Sequence, residues 1–146
     1  MSRSLACCNK IISVNEEETF AWGESLGKKC QGGEVFLLFG DLGAGKTKLL
    51  QGLAKGLGVK GIVNSPTFNI LKIYPAKVVK EFCHVDAYRL NSADDLESLG
   101  IQEFFDSKET VTAIEWAEKV KKIWPQGAKQ IRIKVLSEKY REIISS

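Results

Sequence analysis

The chain has 146 residues, of which 44% are apolar and 27% charged, and a formal net charge of +3. That length supports one domain with a real core but not two, and the composition is that of an ordinary soluble globular protein. The small charge is spread over scattered lysines, so it gives no argument for nucleic-acid binding, and the four cysteines with a single histidine show no zinc-ligand spacing.

The cysteines (Cys7, Cys8, Cys30 and Cys83) form no C-x-x-C pair, and they read as reduced thiols of a cytosolic protein. No apolar run is long enough for a signal peptide or a membrane span; the longest is Val35 to Phe39. The expectation is one cytoplasmic domain over residues 1–146, its first nine residues a loose end, with no membrane partner.

In chain order, Lys10 to Val14 is a short strand. Asn15 caps a helix, with Glu18 completing a capping box. This helix runs to about Cys30, turning Phe20, Leu26 and Cys30 inward, and Gly32-Gly33 stops it. Glu34 to Phe39 is a buried strand. A helix follows from Lys48 to Leu57, apolar at 49, 50, 53 and 57, and Gly56 and Gly58 end it. Lys60 to Phe68 is a loop. Asn69 to Tyr74 and Val78 to Val85 form a β-hairpin. A helix begins at Ser92, with acids in its first turns, and Gly100 breaks it. Ile101 to Phe105 adds a helical turn. Thr110 to Ile114 is a β-branched strand running into Glu115-Trp116. Ala117 to Ile123 is helical and stops at Pro125. Gln130 to Leu136 alternates, with Ile131, Ile133 and Val135 on one face, and Tyr140 to Ile144 closes the fold. The order implies a single α/β domain with a mixed, mainly parallel sheet, helices on both faces and antiparallel edge strands.

Between the buried strand and its helix lies Gly40-Asp41-Leu42-Gly43-Ala44-Gly45-Lys46-Thr47, a complete G-x-x-x-x-G-K-[ST]; this is the P-loop signature, and it makes the expected fold class α/β, a single P-loop NTPase domain. Its glycines let backbone N–H groups from Gly43 through Ala44, Gly45 and Lys46 to Thr47 and Lys48 point inward at phosphate oxygens. The helix's positive end adds to that attraction. Lys46 reaches the β- and γ-phosphates, and the Thr47 hydroxyl sits on Mg²⁺.

A P-loop also needs an acid for the metal and groups that sense the γ-phosphate. Asp86 and Glu115 both end strand-like runs. The run before Glu115 is the more apolar, which favours Glu115 for Mg²⁺, directly or through water. Asp86 reads as a switch residue orienting a water or the metal shell. The plain alternative for either acid is a helix cap or a surface salt bridge. Thr67, in Ser65-Pro66-Thr67-Phe68, could reach the γ-phosphate or metal by its hydroxyl, or be an ordinary turn threonine. His84 on spacing alone fits a structural role more readily than a catalytic one. Trp116 is expected to pack near the site, and Tyr88-Arg89 to be a surface pair or a partner contact. No N-K-x-D stretch follows the P-loop, so ATP is favoured over GTP. No Arg-rich lid of a small-molecule kinase is visible.

Taken together, the P-loop, Ser65-Pro66-Thr67-Phe68, His84-Val85-Asp86-Ala87-Tyr88-Arg89-Leu90 and Glu115-Trp116-Ala117-Glu118 resemble, in that order, the bacterial TsaE (YjeE) family. The similarity covers roughly residues 11 to 144. The resemblance implies a small cytosolic ATPase of tRNA threonylcarbamoyladenosine biosynthesis. Partner subunits, the transferase and its paralogous scaffold, would modify adenosine 37 of tRNAs reading codons that begin with A. Hydrolysis here would reset the complex, and contact with tRNA would be indirect. By similarity, Lys46 and the backbone from Gly43 to Lys48 hold phosphates, and Thr47 and Glu115 serve Mg²⁺. Thr67 and Asp86 lie in the switch regions, the adenine sits near Glu16 to Thr19, and Arg141 matches a family arginine. The chain departs from the family pattern at Lys48, where a second threonine is usual, and at Tyr140, where glycine often precedes the arginine. No arginine finger or strong base is visible, so slow hydrolysis is expected of the chain alone. The competing readings are a small-molecule kinase and a non-hydrolysing, nucleotide-gated binding module.

Overall fold

The structure is a computed structural model that describes residues 9–41, 43–64 and 69–146. In chain order it runs β1 (Asn9–Ser13), α1 (Glu16–Lys28), β2 (Val35–Phe39), α2 (Lys46–Gly56), β3 (Leu71–Pro75) and β4 (Glu81–Asp86). It continues with α3 (Ala93–Glu97), α4 (Ile101–Asp106), β5 (Thr110–Glu115), a 3₁₀ segment (Ala117–Ile123), β6 (Lys129–Val135) and β7 (Arg141–Ser145).

Among the described residues the strands form one seven-stranded sheet in the order β1-β7-β6-β2-β5-β4-β3. Its centre is parallel: β2 pairs with β5 and β6, and β5 with β4. The β3–β4 hairpin closes one side and β1–β7–β6 the other, all antiparallel. This is the expected mixed sheet.

β2 is buried on both faces because its residues alternate between two cores. Phe36 and Leu38 pack with Leu49, Leu50 and Leu53 of α2. Val35, Leu37 and Phe39 pack with Leu96, Ile101 and Phe105 of α3 and α4. A strand covered on both sides reads as a continuous apolar run, which is why it was visible in the sequence.

The α1 capping box is present: Glu18 N–H donates to Asn15 Oδ1 at 2.8 Å, and Val14 N–H to Glu18 Oε1 at 2.9 Å. The inward face of α1 differs from the expected one. Its buried residues are Thr19, Gly23 and Gly27, while Phe20 and Leu26 are only partly buried and Cys30 lies beyond the helix end. The reason is the closeness of α2. A Cβ built on Gly23 would lie 2.2 Å from Leu49 O, and one on Gly52 would lie 2.0 Å from Phe20 O. Only hydrogen fits there, so the helices meet backbone to backbone.

Three further details differ from expectation. The second hairpin strand starts at Glu81, because Lys77 and Val78 donate their N–H groups to Leu57 O at the end of α2 (3.0 and 2.9 Å), a carbonyl that helix geometry leaves without a donor. The helix over 117–123 is a 3₁₀ segment with a non-helical kink at Val120. Val135, beside the turn of the β6–β7 hairpin, is 45% exposed rather than inward.

Candidate functional site at the carboxyl ends of the parallel strands

The loop after β2 enters α2 through Gly45, the N-cap, which holds φ 108° and offers no side-chain hydrogen bond to the helix end. Gly43 (φ 81°) also adopts the left-handed conformation, and a Cβ there would meet nothing within 4 Å. The positive φ at these two positions therefore explains glycine better than crowding does. The first N–H groups of α2 point out of the helix end into this loop. No acid stands in that first turn.

Lys46, the first residue of α2, is 5% exposed. Its ammonium donates to Gly40 O and lies 3.8 Å from the centre of the Trp116 ring. Burial lowers its pKa, while the carboxylates of Glu115, Glu118, Asp86 and Asp41 act in the raising direction. Trp116 is the non-glycine residue with positive φ (57°) among those described, a conformation that points to a specific local demand. It turns the chain sharply after β5, so that its ring covers Lys46. The Tyr88 ring packs on it at 5.0 Å, and Lys119 donates to Tyr88 O. Tyr88 and Arg89 are both exposed.

Strand register brings the two acids together. Glu115 lies opposite Leu38 of β2 on one side and opposite Asp86 of β4 on the other. Glu115 is 3% exposed, neither a helix cap nor a surface salt bridge. Its Oε2 accepts a hydrogen bond from His84 Nε2 at 2.7 Å, and His84 is fully buried. Asp86 is half-buried, and its Oδ1 accepts Tyr88 N–H at 3.0 Å, an Asx-type turn. Burial raises the Asp86 pKa and Glu115 adds to this; the Tyr88 N–H, His84 and Lys46 oppose it.

Beside the loop lies a cleft of about 390 Å³ walled by Glu16, Thr19, Gly43, Ala44, Gly45, Lys48 and Arg141, among others. Lys48 Nζ stands 3.9 Å from Glu16 Oε2, an exposed pair. Arg141 Nε donates to Ala44 O at 3.0 Å, and its Nη1 to Ser137 O at 2.9 Å, so this arginine ties β7 to the loop. The Thr19 hydroxyl shares a 2.7 Å hydrogen bond with Ser13 Oγ, which leaves its methyl toward Gly45.

The structure thus gathers Lys46, Asp86 and Glu115 around Trp116, with Thr47 next to Lys46 on the same helix. It gathers Glu16, Thr19, Lys48 and Arg141 in the neighbouring cleft. Thr67 lies outside the described residues. The sequence reading missed the link between His84 and Glu115. The signal was the two-residue strand period: Phe82, His84 and Asp86 share a face of β4, and Ala113 and Glu115 share the same face of β5.

An apolar strand, a glycine loop, a lysine at the helix start and acids on the two next parallel strands define an α/β P-loop NTPase fold. A profile of the family described as threonylcarbamoyl adenosine biosynthesis protein TsaE matches residues 13–143, and the chain belongs to that family. The tRNA threonylcarbamoyladenosine biosynthesis protein TsaE of Bacillus subtilis is 43% identical over 134 residues, 92% of this chain and 82% of that one. The protein of the same name from Treponema pallidum is 37% identical, covering 92% and 97%. The crystal structure of YdiB from Bacillus subtilis superposes with a TM-score of 0.82 at 36% identity, covering 98% of this chain and 87% of that one. Among the described residues no helix is long and apolar enough to cross a membrane.

Proposed function

We propose that this chain is the Mg²⁺-dependent ATP hydrolase of tRNA threonylcarbamoyladenosine biosynthesis. It acts in the cytoplasm with the transferase and its paralogous scaffold subunit, reaches tRNA only through them, and resets the complex after adenosine 37 is modified in tRNAs reading codons that begin with A. The observation that carries this reading is the register of β2, β5 and β4, with Leu38 opposite Glu115 and Glu115 opposite Asp86, beside a nearly buried Lys46. That register sets a carboxylate at the end of the strand beside the P-loop strand, which suits the metal-side acid of a P-loop NTPase.

The residues fit magnesium by their chemistry. Among the described residues no group of three or more His, Cys, Asp or Glu side chains could hold a metal unaided. Magnesium needs no such cage: it takes one or two protein oxygens and completes its shell with phosphates and water. The Thr47 hydroxyl and the Glu115 carboxylate are hard oxygen donors of that kind. When bound, the ion would neutralise charge on the β- and γ-phosphates.

The chain's own part is positional. Backbone N–H groups from Gly43 to Lys48 hold the phosphates. Lys46 leaves Gly40 O and the Trp116 ring for a phosphate oxygen, whose negative charge offsets the burial that disfavours the ammonium. Asp86 orients the attacking water, with Thr67 assisting at the γ-phosphate. Glu16 and Thr19 border the adenine, and Arg141 holds the loop against β7. The sequence offers no evident arginine finger or strong base, so hydrolysis is slow until a partner completes the site.

The test is ATP turnover by the chain alone and with the other subunits. Stimulation by the subunits is expected, and Lys46→Ala and Glu115→Ala should each lower it by about a hundredfold or more. ATP binding without hydrolysis in every mixture would reject the hydrolase and leave a gated binding module.

A further inference from the structure

His84 is the chain's single histidine, and the mechanism above gives it no work. It is fully buried, yet it stands where an apolar side chain would complete a ring stack. Phe82 lies against Tyr74 (6.2 Å) and against the His84 imidazole (6.1 Å, 16° between planes). The imidazole differs from a phenyl ring in one useful respect. Its Nε2–H reaches Glu115 Oε2 at 2.7 Å, and because a carboxylate can only accept, the ring nitrogen is the donor. The other nitrogen, Nδ1, is buried with no hydrogen-bond partner among the described residues.

A buried polar pair with one atom left bare is a poor way to gain stability, since apolar residues of similar volume commonly do as well or better. The arrangement makes sense if Glu115 must be held in one orientation. Whatever else Glu115 touches, its Oε2 is committed to His84, and the imidazole plane is fixed by Phe82. The carboxylate therefore cannot rotate freely about its last bond, and its second oxygen has a set direction. We infer that His84 is a positioning residue: it fixes the Glu115 carboxylate by the Nε2–H···Oε2 hydrogen bond so that Glu115 serves a divalent cation at the P-loop. The inference rests on the metal reading above and adds a residue to it.

Two experiments test it. Having one histidine gives one imidazole signal in a long-range ¹H–¹⁵N spectrum. The expected result is a proton on Nε2, and a clear shift of that signal in Glu115→Gln; an Nε2 without a proton, or a signal unmoved by Glu115→Gln, overturns the inference without requiring any His84 variant to fold. The second experiment is ADP binding by calorimetry with Mg²⁺ and with EDTA, for the wild type, His84→Gln, His84→Asn and Glu115→Gln. Glutamine can place an N–H near the imidazole Nε2 position, whereas asparagine is too short. His84→Gln should keep the Mg²⁺-dependent gain in affinity within about threefold of wild type, and His84→Asn should lose about tenfold of it, the range seen when a ligand's supporting residue is removed. Affinity in EDTA should be the same in both. A His84→Asn protein with the full gain, or one weakened equally in EDTA, overturns the role of His84. If Glu115→Gln removes the gain and His84→Asn does not, only this inference falls. If the wild type shows no Mg²⁺ gain at all, the metal reading falls with it.

Discussion

On one face of the sheet, two long helices touch backbone to backbone; on the other, the cover is three short pieces. α1 and α2 span Glu16–Lys28 and Lys46–Gly56 and meet through glycines on both sides. α3, α4 and the 3₁₀ segment are each seven residues or shorter, separated by Gly100 and Trp116 in left-handed conformations. The difference follows the chemistry proposed above. The first face carries the loop and the lysine, which must be held in place with or without a ligand. The second face follows Asp86 and Glu115, where a response to phosphate has to start. Many short pieces joined at strained or glycine turns can shift separately, while two helices interlocked along their length move only together.

Substituting one glycine on each face is the strongest way to break this comparison. A Cβ at Gly52 would sit 2.0 Å from Phe20 O, a backbone atom that cannot step aside without moving α1. Gly52→Ala should cost about 3 kcal/mol, roughly 6–12 °C in Tm. At Gly100, φ is 81° and the space around a Cβ is open. Gly100→Ala carries only the left-handed strain, about 1 kcal/mol after the gain from a stiffer unfolded chain. Thermal denaturation of both variants decides it. Equal losses would mean that the two faces are held equally tightly and that the comparison is wrong.

The same helix pair marks where the sequence was readable and where it was not. The Asn15–Glu18 capping box, the all-apolar β2 and the P-loop were legible because each is a local pattern with a local cause. The inward face of α1 was not. Apolar periodicity points to Phe20 and Leu26, but the contact is made by Gly23 and Gly27, and a glycine carries no hydrophobic signal. Its role exists only once Gly52 and Gly56 face it. His84 failed for a related reason: its partner is 31 residues away, and only strand pairing brings them together. The acids at 86 and 115 were legible because each ends a strand, though not that they would lie directly opposite each other. The direction of Trp116 was hidden as well, since nothing in Glu-Trp-Ala announces a left-handed residue.

A smaller effect is expected at Asp86, the strand-end acid from which the chain leads into the short pieces of the second face. Burial raises its pKa above the ordinary carboxyl value. The folded state then holds the proton more tightly than the unfolded state does. Stability from this group is therefore full below the ordinary carboxyl pKa near 4 and declines as the pH rises through the raised value. Asp86→Asn removes that penalty. At pH 7 the variant should melt slightly higher than wild type while its ATP turnover falls, the trade expected of a residue kept for function. The difference in Tm should vanish as the pH is lowered to about 4. A variant that melts lower at pH 7 would mean that the Asp86 carboxylate is a net stabilising contact, held by Tyr88 N–H and Lys46, and would remove the argument that this acid gives up stability for its chemistry.

The smallest effect concerns Lys48, where the first face meets the cleft. Its ammonium is 3.9 Å from Glu16, and the two side chains are 38% and 79% exposed. An exposed pair at that distance stabilises by no more than about 1 kcal/mol, so Lys48→Thr should leave Tm nearly unchanged. Binding should respond differently. Lys48 is two residues past Lys46 in the first turn of α2, a turn with no acid to balance it, and an anion in the cleft would draw its ammonium from Glu16. Lys48→Thr should then weaken ADP a few-fold at low salt and bind adenosine as the wild type does. Removing one cation from a phosphate site should also make ADP affinity less sensitive to ionic strength. Calorimetry at two salt concentrations with ADP and adenosine separates the possibilities. Loss for ADP alone assigns Lys48 to the phosphate end of the cleft. Equal loss for both ligands would place its role at the base end, through Glu16, and no loss for either would make the Lys48–Glu16 pair an ordinary surface contact.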